Sequence, residues 1–167
     1  SSADADAVRQ AVRYLYDLGH RQIARVGGPE SLAHSYIRDS AFADVASELG
    51  MRYRCLHTDY TPETGREATK RLLAFSEHPT AIIYDNDVMA LAGLGVAASQ
   101  GIKVPEEISI MSWDDSLMCT AAYPNLTAMG RDVVDTGKQA AGLLLKLIGG
   151  ERVGHLMEEP YELRARA

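Results

Sequence analysis

The chain has 167 residues, 46% of them hydrophobic and 24% charged, with a formal net charge of −6. That length fits one ordinary domain, whose core is large enough to need no metal or disulfide staple. A near-average composition with 14 Gly and 6 Pro excludes collagen-like, disordered and coiled-coil classes, and the acidic balance argues against direct nucleic-acid binding.

Asp4 to Leu18 carries Val8, Ala11, Val12 and Leu15 at helical spacing, with Gly19 where a C-terminal cap belongs. Gln22 to Val26 predicts a strand that ends in Gly27-Gly28-Pro29. Ile37, Ala41, Val45 and Leu49 mark a second amphipathic helix, closed by Gly50. Tyr53 to Thr58 predicts the next strand. Thr61-Pro62-Glu63 supplies an N-cap, a proline at the first helical position and an acidic first turn, opening a helix that runs to about Phe75. Thr80 to Tyr84 predicts a strand, Val88 to Gln100 a helix capped by Gly101, and Ile108 to Trp113 a fourth strand. The alternation repeats about every 30 residues, the size of a β-α-β unit with right-handed crossovers. It predicts an α/β fold, an open parallel sheet with helices on both faces. Beyond the fourth strand lie Leu126 to Met129, an apolar helix from about Val133 to Ile148, Gly149-Gly150, and a β-like segment from His155 to Arg164. The chain opens on a helix with no strand before it, and the helix holding Leu143-Leu144-Leu145 needs an apolar partner. Both features predict part of a larger protein.

Other signals set further expectations. The acidic, polar start at Ser1-Ser2-Ala3-Asp4 does not read as a signal peptide, and no apolar run reaches the roughly 20 residues that span a bilayer. Cys55 and Cys119 lie far apart, which predicts reduced, packed thiols in a cytoplasmic protein rather than a zinc site or a disulfide framework. His34, His57, His78 and His155 lack the spacing of metal ligands, and His20 is expected to hydrogen-bond a neighbouring backbone group. Neither a metal nor a cofactor is expected.

In an open α/β sheet, ligands bind outside the carboxyl ends of the strands. After the first strand come Gly27-Gly28-Pro29, with Ser35 and Arg38 near the start of the next helix. After the second come Asp59 and Tyr60, after the third Asp85, Asn86 and Asp87, and after the fourth Trp113, Asp114 and Asp115. These residues should converge on one rim. Carboxylates, a carboxamide and the planar fork of Arg38 suit the hydroxyls of a small polyhydroxylated molecule, and Tyr60 and Trp113 could stack on its apolar face. Each has a plainer role as well. Asp87 fits an N-cap, Asp59 a turn, Trp113 the core, and Arg38 a solvated charge in a first helical turn.

The string Gly19-His20-Arg21-Gln22-Ile23-Ala24, then Gly27-Gly28-Pro29, then Arg38 with Phe42 four residues on, resembles the LacI/GalR family of bacterial transcription regulators. So do Pro79-Thr80-Ala81-Ile82, Asn86-Asp87, Val104-Pro105-Glu106-Glu107-Ile108-Ser109-Ile110, Trp113-Asp114-Asp115 and Pro124-Asn125-Leu126-Thr127. The motifs follow the family's order and spacing across nearly the whole chain. The resemblance implies the C-terminal portion of an effector domain like type I periplasmic sugar-binding proteins, without the helix-turn-helix that binds DNA. It implies a lobe core over about 4–125, a crossover and helix over 126–150 that pack on an N-terminal lobe, and a terminal strand segment over 151–167. It also implies a homodimer built partly from Val88 to Ser99 and Met118 to Tyr123.

By the same resemblance, Arg38, Asn86 and Asp114 contact the effector, Tyr60 falls near an aromatic position that lines the pocket, and Arg131 falls near its hinge side; Trp113 joins the candidate ligand-binding residues from its place at the strand end. Ser112 stands where the family has Gly, and Arg131 and Val133 depart from its common hinge residues; an arginine at 131 selects an acidic effector or is an exposed charge. Two other readings stand beside this one. A periplasmic sugar receptor shares the fold. A magnesium-dependent phosphatase of the haloacid dehalogenase type would use Asp85-x-Asp87 and Asp114-Asp115, but it needs its Asp-x-Asp on the first strand and a lysine in the site.

Overall fold

The computed structural model describes residues 2–131, 133–151 and 159–167. In chain order the elements are α1 (Ser2–Asp17), β1 (Gln22–Gly27), α2 (Ala33–Glu48), β2 (Arg52–His57), α3 (Pro62–Leu73), β3 (Ala81–Tyr84), α4 (Asp87–Ser99), β4 (Ser109–Trp113), α5 (Leu117–Ala121), β5 (Thr127–Gly130), α6 (Val133–Ile148) and β6 (Glu162–Arg164). The predicted alternation is therefore observed. Gly19, at φ +103°, ends α1 where a side chain would be strained, and the following His20 N–H closes back on the Leu15 carbonyl. Thr61 caps α3, its hydroxyl accepting from the Thr64 N–H, with Pro62 at the first helical position.

The strands lie in the order β2-β1-β3-β4-β5-β6. The first five run parallel and β6 pairs antiparallel with β5. The sheet thus extends past the four strands expected from the periodicity. Thr127–Gly130 pairs with β4, Met111 opposite Thr127, and is buried throughout. In the β-like segment expected from His155 to Arg164, Glu162–Arg164 forms a strand among the described residues; residues 152–158, His155 among them, lie outside these. The short helix α5 was not expected.

Alternation along the strands divides the core. Ile23, Ala81, Ile83, Met111, Trp113 and Met129 face α1 and α2, meeting Val8, Val12, Leu15, Phe42 and Val45. Ala24, Val26, Ile82, Tyr84, Ile108 and Ile110 face α3 and α4, meeting Ala68, Leu72, Met89 and Ala97. His20 corrects its sequence reading: its Nδ1 lies 2.8 Å from the Thr80 hydroxyl and its Nε2 3.2 Å from that of Ser109. It ties the entrances of β3 and β4 together, and burial lowers its pKa. Cys119 is buried and Cys55 half-buried, both as free thiols. No described helix is long and apolar enough to cross a membrane.

Candidate ligand-binding site

Strand parity builds the site. Arg25 and Asp85 alternate onto the α1/α2 side of the sheet with Trp113, and there they meet Asp4 from α1 and Arg38 and Asp39 from α2. Arg25 is 1% exposed in mid-strand, so its charge requires partners within the fold. It has two. Nη2 donates to Asp85 Oδ2 at 2.6 Å, and Nη1 donates to Asp39 Oδ1. Asp39 also meets His57 Nε2 at 2.7 Å. Asp85, wholly buried as a side chain, accepts a longer bond from the Gly28 N–H (3.3 Å) and lies 3.4 Å from Arg38 Nη1.

Arg38 is the centre of the rim. It sits in the second turn of α2, which begins at Ala33, not in the first turn as the sequence suggested. Its Nε donates to Asp4 Oδ1 at 2.9 Å, its Nη2 reaches the Tyr161 hydroxyl at 3.4 Å, and its guanidinium lies 4.9 Å over the Trp113 ring. Burial opposes its charge, and the carboxylates of Asp85 and Asp4 outweigh burial, so its pKa rises. Trp113 is 1% exposed and packs 5.3 Å from the Tyr161 ring. It is a core residue whose face supports Arg38, with its indole N–H buried and unpaired.

Asp114 follows at φ +66°, a left-handed conformation that aspartate tolerates. Ser112 holds this kink: its hydroxyl lies 3.0 Å from the Trp113 carbonyl and 3.1 Å from that of Asp114. The carboxyl of Asp114, exposed on the open side of the rim, is raised above the ordinary range, chiefly by the desolvating protein behind it, against the pull of Arg38 and Arg131. Arg131 is exposed, its guanidinium 5.0 Å over the Tyr161 ring.

The other expected residues divide between rim and scaffold. Tyr60, at φ +69°, lays its ring against Gly28, where a Cβ would come within 2.0 Å of it. Its hydroxyl meets His34 Nε2 at 2.6 Å, and burial raises its pKa. Asn86 caps α4: Oδ1 accepts from the Met89 N–H at 2.9 Å, and Nδ2 donates to the Tyr60 carbonyl at 3.1 Å. Asn86, rather than Asp87, is thus the N-cap; Asp87 opens the helix, its Oδ1 2.8 Å from the Val88 N–H. Asp59 is a turn residue. Hydrogen bonds from Thr64 and Thr61 lower its pKa to about 2.

Among the described residues, no group of three or more His, Cys, Asp or Glu side chains is placed to hold a metal ion. Asp85, which the phosphatase reading gives to magnesium, is instead enclosed by two guanidiniums. The chemistry available is a fixed array of charged donors and acceptors over an aromatic floor.

The sequence of residues 12–167 matches the family of periplasmic binding protein-like domains. The repressor CytR of Escherichia coli is 34% identical over 151 residues, covering 89% of this chain and 44% of that protein. Catabolite control protein A of Priestia megaterium is 32% identical over 166 residues, covering 96% of this chain and 50% of that protein. The chain thus spans about half the length of these curated relatives. The crystal structure of a LacI family transcriptional regulator from Bifidobacterium animalis subsp. lactis superposes with a TM-score of 0.95 at 60% identity, over 98% of this chain and 60% of that one. A six-strand, mostly parallel sheet, the motif order and these likenesses agree: the chain belongs to the periplasmic binding protein-like domain family, in the form carried by LacI-family transcriptional regulators.

Proposed function

We propose that this chain is the effector-sensing portion of a cytoplasmic, DNA-binding transcriptional regulator that acts as a homodimer and catalyses no reaction. The observation that carries the reading is Arg38, desolvated and clamped by Asp4 and Asp85 at the carboxyl rim of the sheet, with Asp114 beside it. Such a rim recognises a small polar metabolite, of which sugars are the leading class, because each fixed donor or acceptor replaces a hydrogen bond that the ligand's hydroxyl made to water. Arg38, Asp114, Tyr60 and Asn86 form this lobe's share of the contacts, with Trp113 beneath them and Arg131 at the margin. Effector binding then shifts the population between two arrangements of the regulator's lobes and so changes DNA binding through a separate head domain.

Calorimetry on the full-length regulator, first across monosaccharides and nucleosides to find the ligand, tests this. Arg38→Ala and Asp114→Ala should each weaken binding by roughly tenfold or more, since losing a buried partner of a ligand hydroxyl costs about 1–3 kcal/mol. Asn86→Ala should do the same with a lower Tm, because it also uncaps α4. If all three variants bind like the parent protein, the rim is not the effector site.

A further inference from the structure

The rim holds more buried charge than contact with a ligand requires. Asp85 lies beneath Arg38, wholly buried, and Arg25 lies beneath Asp85, so that carboxylate and guanidinium alternate from Asp39 through Arg25 and Asp85 to Arg38 and Asp4. A single buried carboxylate serving two arginines is costly to desolvate, and it persists here with good geometry on its Arg25 side. Its effect on Arg38 is specific. Asp4 and Asp85 flank the guanidinium from two elements: Asp4 accepts from it at 2.9 Å, and Asp85 Oδ1, buried and without a hydrogen-bond partner, offsets its charge from 3.4 Å. Around it, Asp4, Asp39, Asp85, Asp87 and Asp114 outnumber Arg25, Arg38 and Arg131.

We infer that Asp85, anchored by Arg25, is a positioning residue that sets the charge specificity of the effector site: it neutralises and orients Arg38, so that the pocket takes uncharged polyhydroxylated ligands and turns away phosphorylated or carboxylated ones. The inference rests on the effector-site reading above and fixes its ligand class. An anion approaching Arg38 would share the guanidinium with two carboxylates already in place and meet the Asp114 carboxylate as well. A hydroxyl would meet donors and acceptors without that repulsion. Arg25 makes the arrangement stable, because it compensates Asp85 from the side away from Arg38.

The test uses the 167-residue chain, inorganic phosphate as the anionic probe, and the fluorescence of Trp113, the chain's single tryptophan, which lies under Arg38. Asp85→Asn keeps an oxygen for Arg25 and the Gly28 N–H, and Arg25 retains Asp39, so the fold should survive; circular dichroism checks this. The parent chain should show no saturable phosphate response at millimolar concentrations, whereas Asp85→Asn should bind phosphate on the order of tenfold more tightly and shift the Trp113 signal. Asp85→Asn combined with Arg38→Gln should lose that response, which places the anion on Arg38. Should Asp85→Asn fail to fold, Arg25→Met with Asp85→Ala removes the buried pair together and carries the same expectation. A merely structural role for Asp85 would lower Tm without creating anion binding. The inference is overturned if the parent chain binds phosphate as well as the variant, or if a folded Asp85 variant gains no phosphate response that depends on Arg38. Because phosphate replaces the metabolite, these results are separate from the calorimetric test of the effector site itself.

Discussion

Asp115 shows how one side chain can serve the lobe without touching a ligand. Its carboxylate accepts from Arg164 Nη1 at 2.9 Å and from Arg166 Nη1 and Nη2 at 2.7 and 2.9 Å, closing the chain's last segment onto the end of β4. The Arg166 hydrogen bonds, stronger than the opposing desolvation, hold its pKa below the ordinary 3.8. A depressed carboxylate pKa contributes stability that is whole above the unfolded value and lost as pH falls through the folded one. Acid unfolding should therefore begin below about pH 4 partly through this clamp. Asp115→Asn should lower Tm at pH 7 and flatten the pH dependence in that window; an unchanged acid limb in scanning calorimetry would refute it. Asp114, one residue earlier, was legible as a rim residue because it follows a strand. Arg25 was not singled out, though a charged residue between Ala24 and Val26 in a buried strand was a signal of buried partners. Tyr161 carried no signal at all, since only the fold brings it across 123 residues of sequence to Arg38.

At the scale of elements, the seat of α3 against α4 depends on missing side chains. A Cβ at Gly65 would lie 2.8 Å from Met89 Cγ, and one at Gly93 would lie 2.2 Å from the Tyr84 hydroxyl, which already bonds Thr69 at 2.8 Å. The Gly93 site leaves little room to yield, because Tyr84 is wholly buried. Gly93→Ala should therefore destabilise the fold by about 1–3 kcal/mol despite alanine's better helix propensity, as measured by urea unfolding. A neutral or stabilising result would mean that Tyr84 can move. The helices other than α5 and the first four strands were readable because each carries a period, a cap or a glycine stop. The sheet's far edge was legible only in part. Glu162–Arg164 lies inside the β-like segment expected from His155 to Arg164, but Thr127–Gly130 was assigned to no element, and the pairing of both comes from tertiary contact.

At the scale of the whole molecule, α6 stands out. Leu144, Leu145, Leu147 and Ile148 are 59%, 69%, 56% and 75% exposed, more apolar surface than a free-standing domain keeps on one helix. The sequence anticipated this from Leu143-Leu144-Leu145, and its expectation that the helix packs on another lobe remains a proposal. The chain by itself should self-associate at high micromolar concentration, and Leu145→Glu with Ile148→Glu should return it to a monomer in sedimentation velocity. A strictly monomeric parent chain would count against the patch as a contact surface.

The Arg25–Asp85 pair also constrains how a lineage carrying this lobe can diverge. Replacing Arg25 alone leaves the wholly buried Asp85 only its longer contact to Arg38, at a cost of about 3–5 kcal/mol, a large share of what holds a domain together, whereas replacing Asp85 alone leaves Arg25 its bond to Asp39. Replacing both with apolar residues costs little, and the tolerable route there loses Asp85 first. The pair therefore comes apart in one order only. Among proteins sharing this lobe, Arg25 without Asp85 should therefore occur more often than Asp85 without Arg25, and a comparison of their sequences checks it.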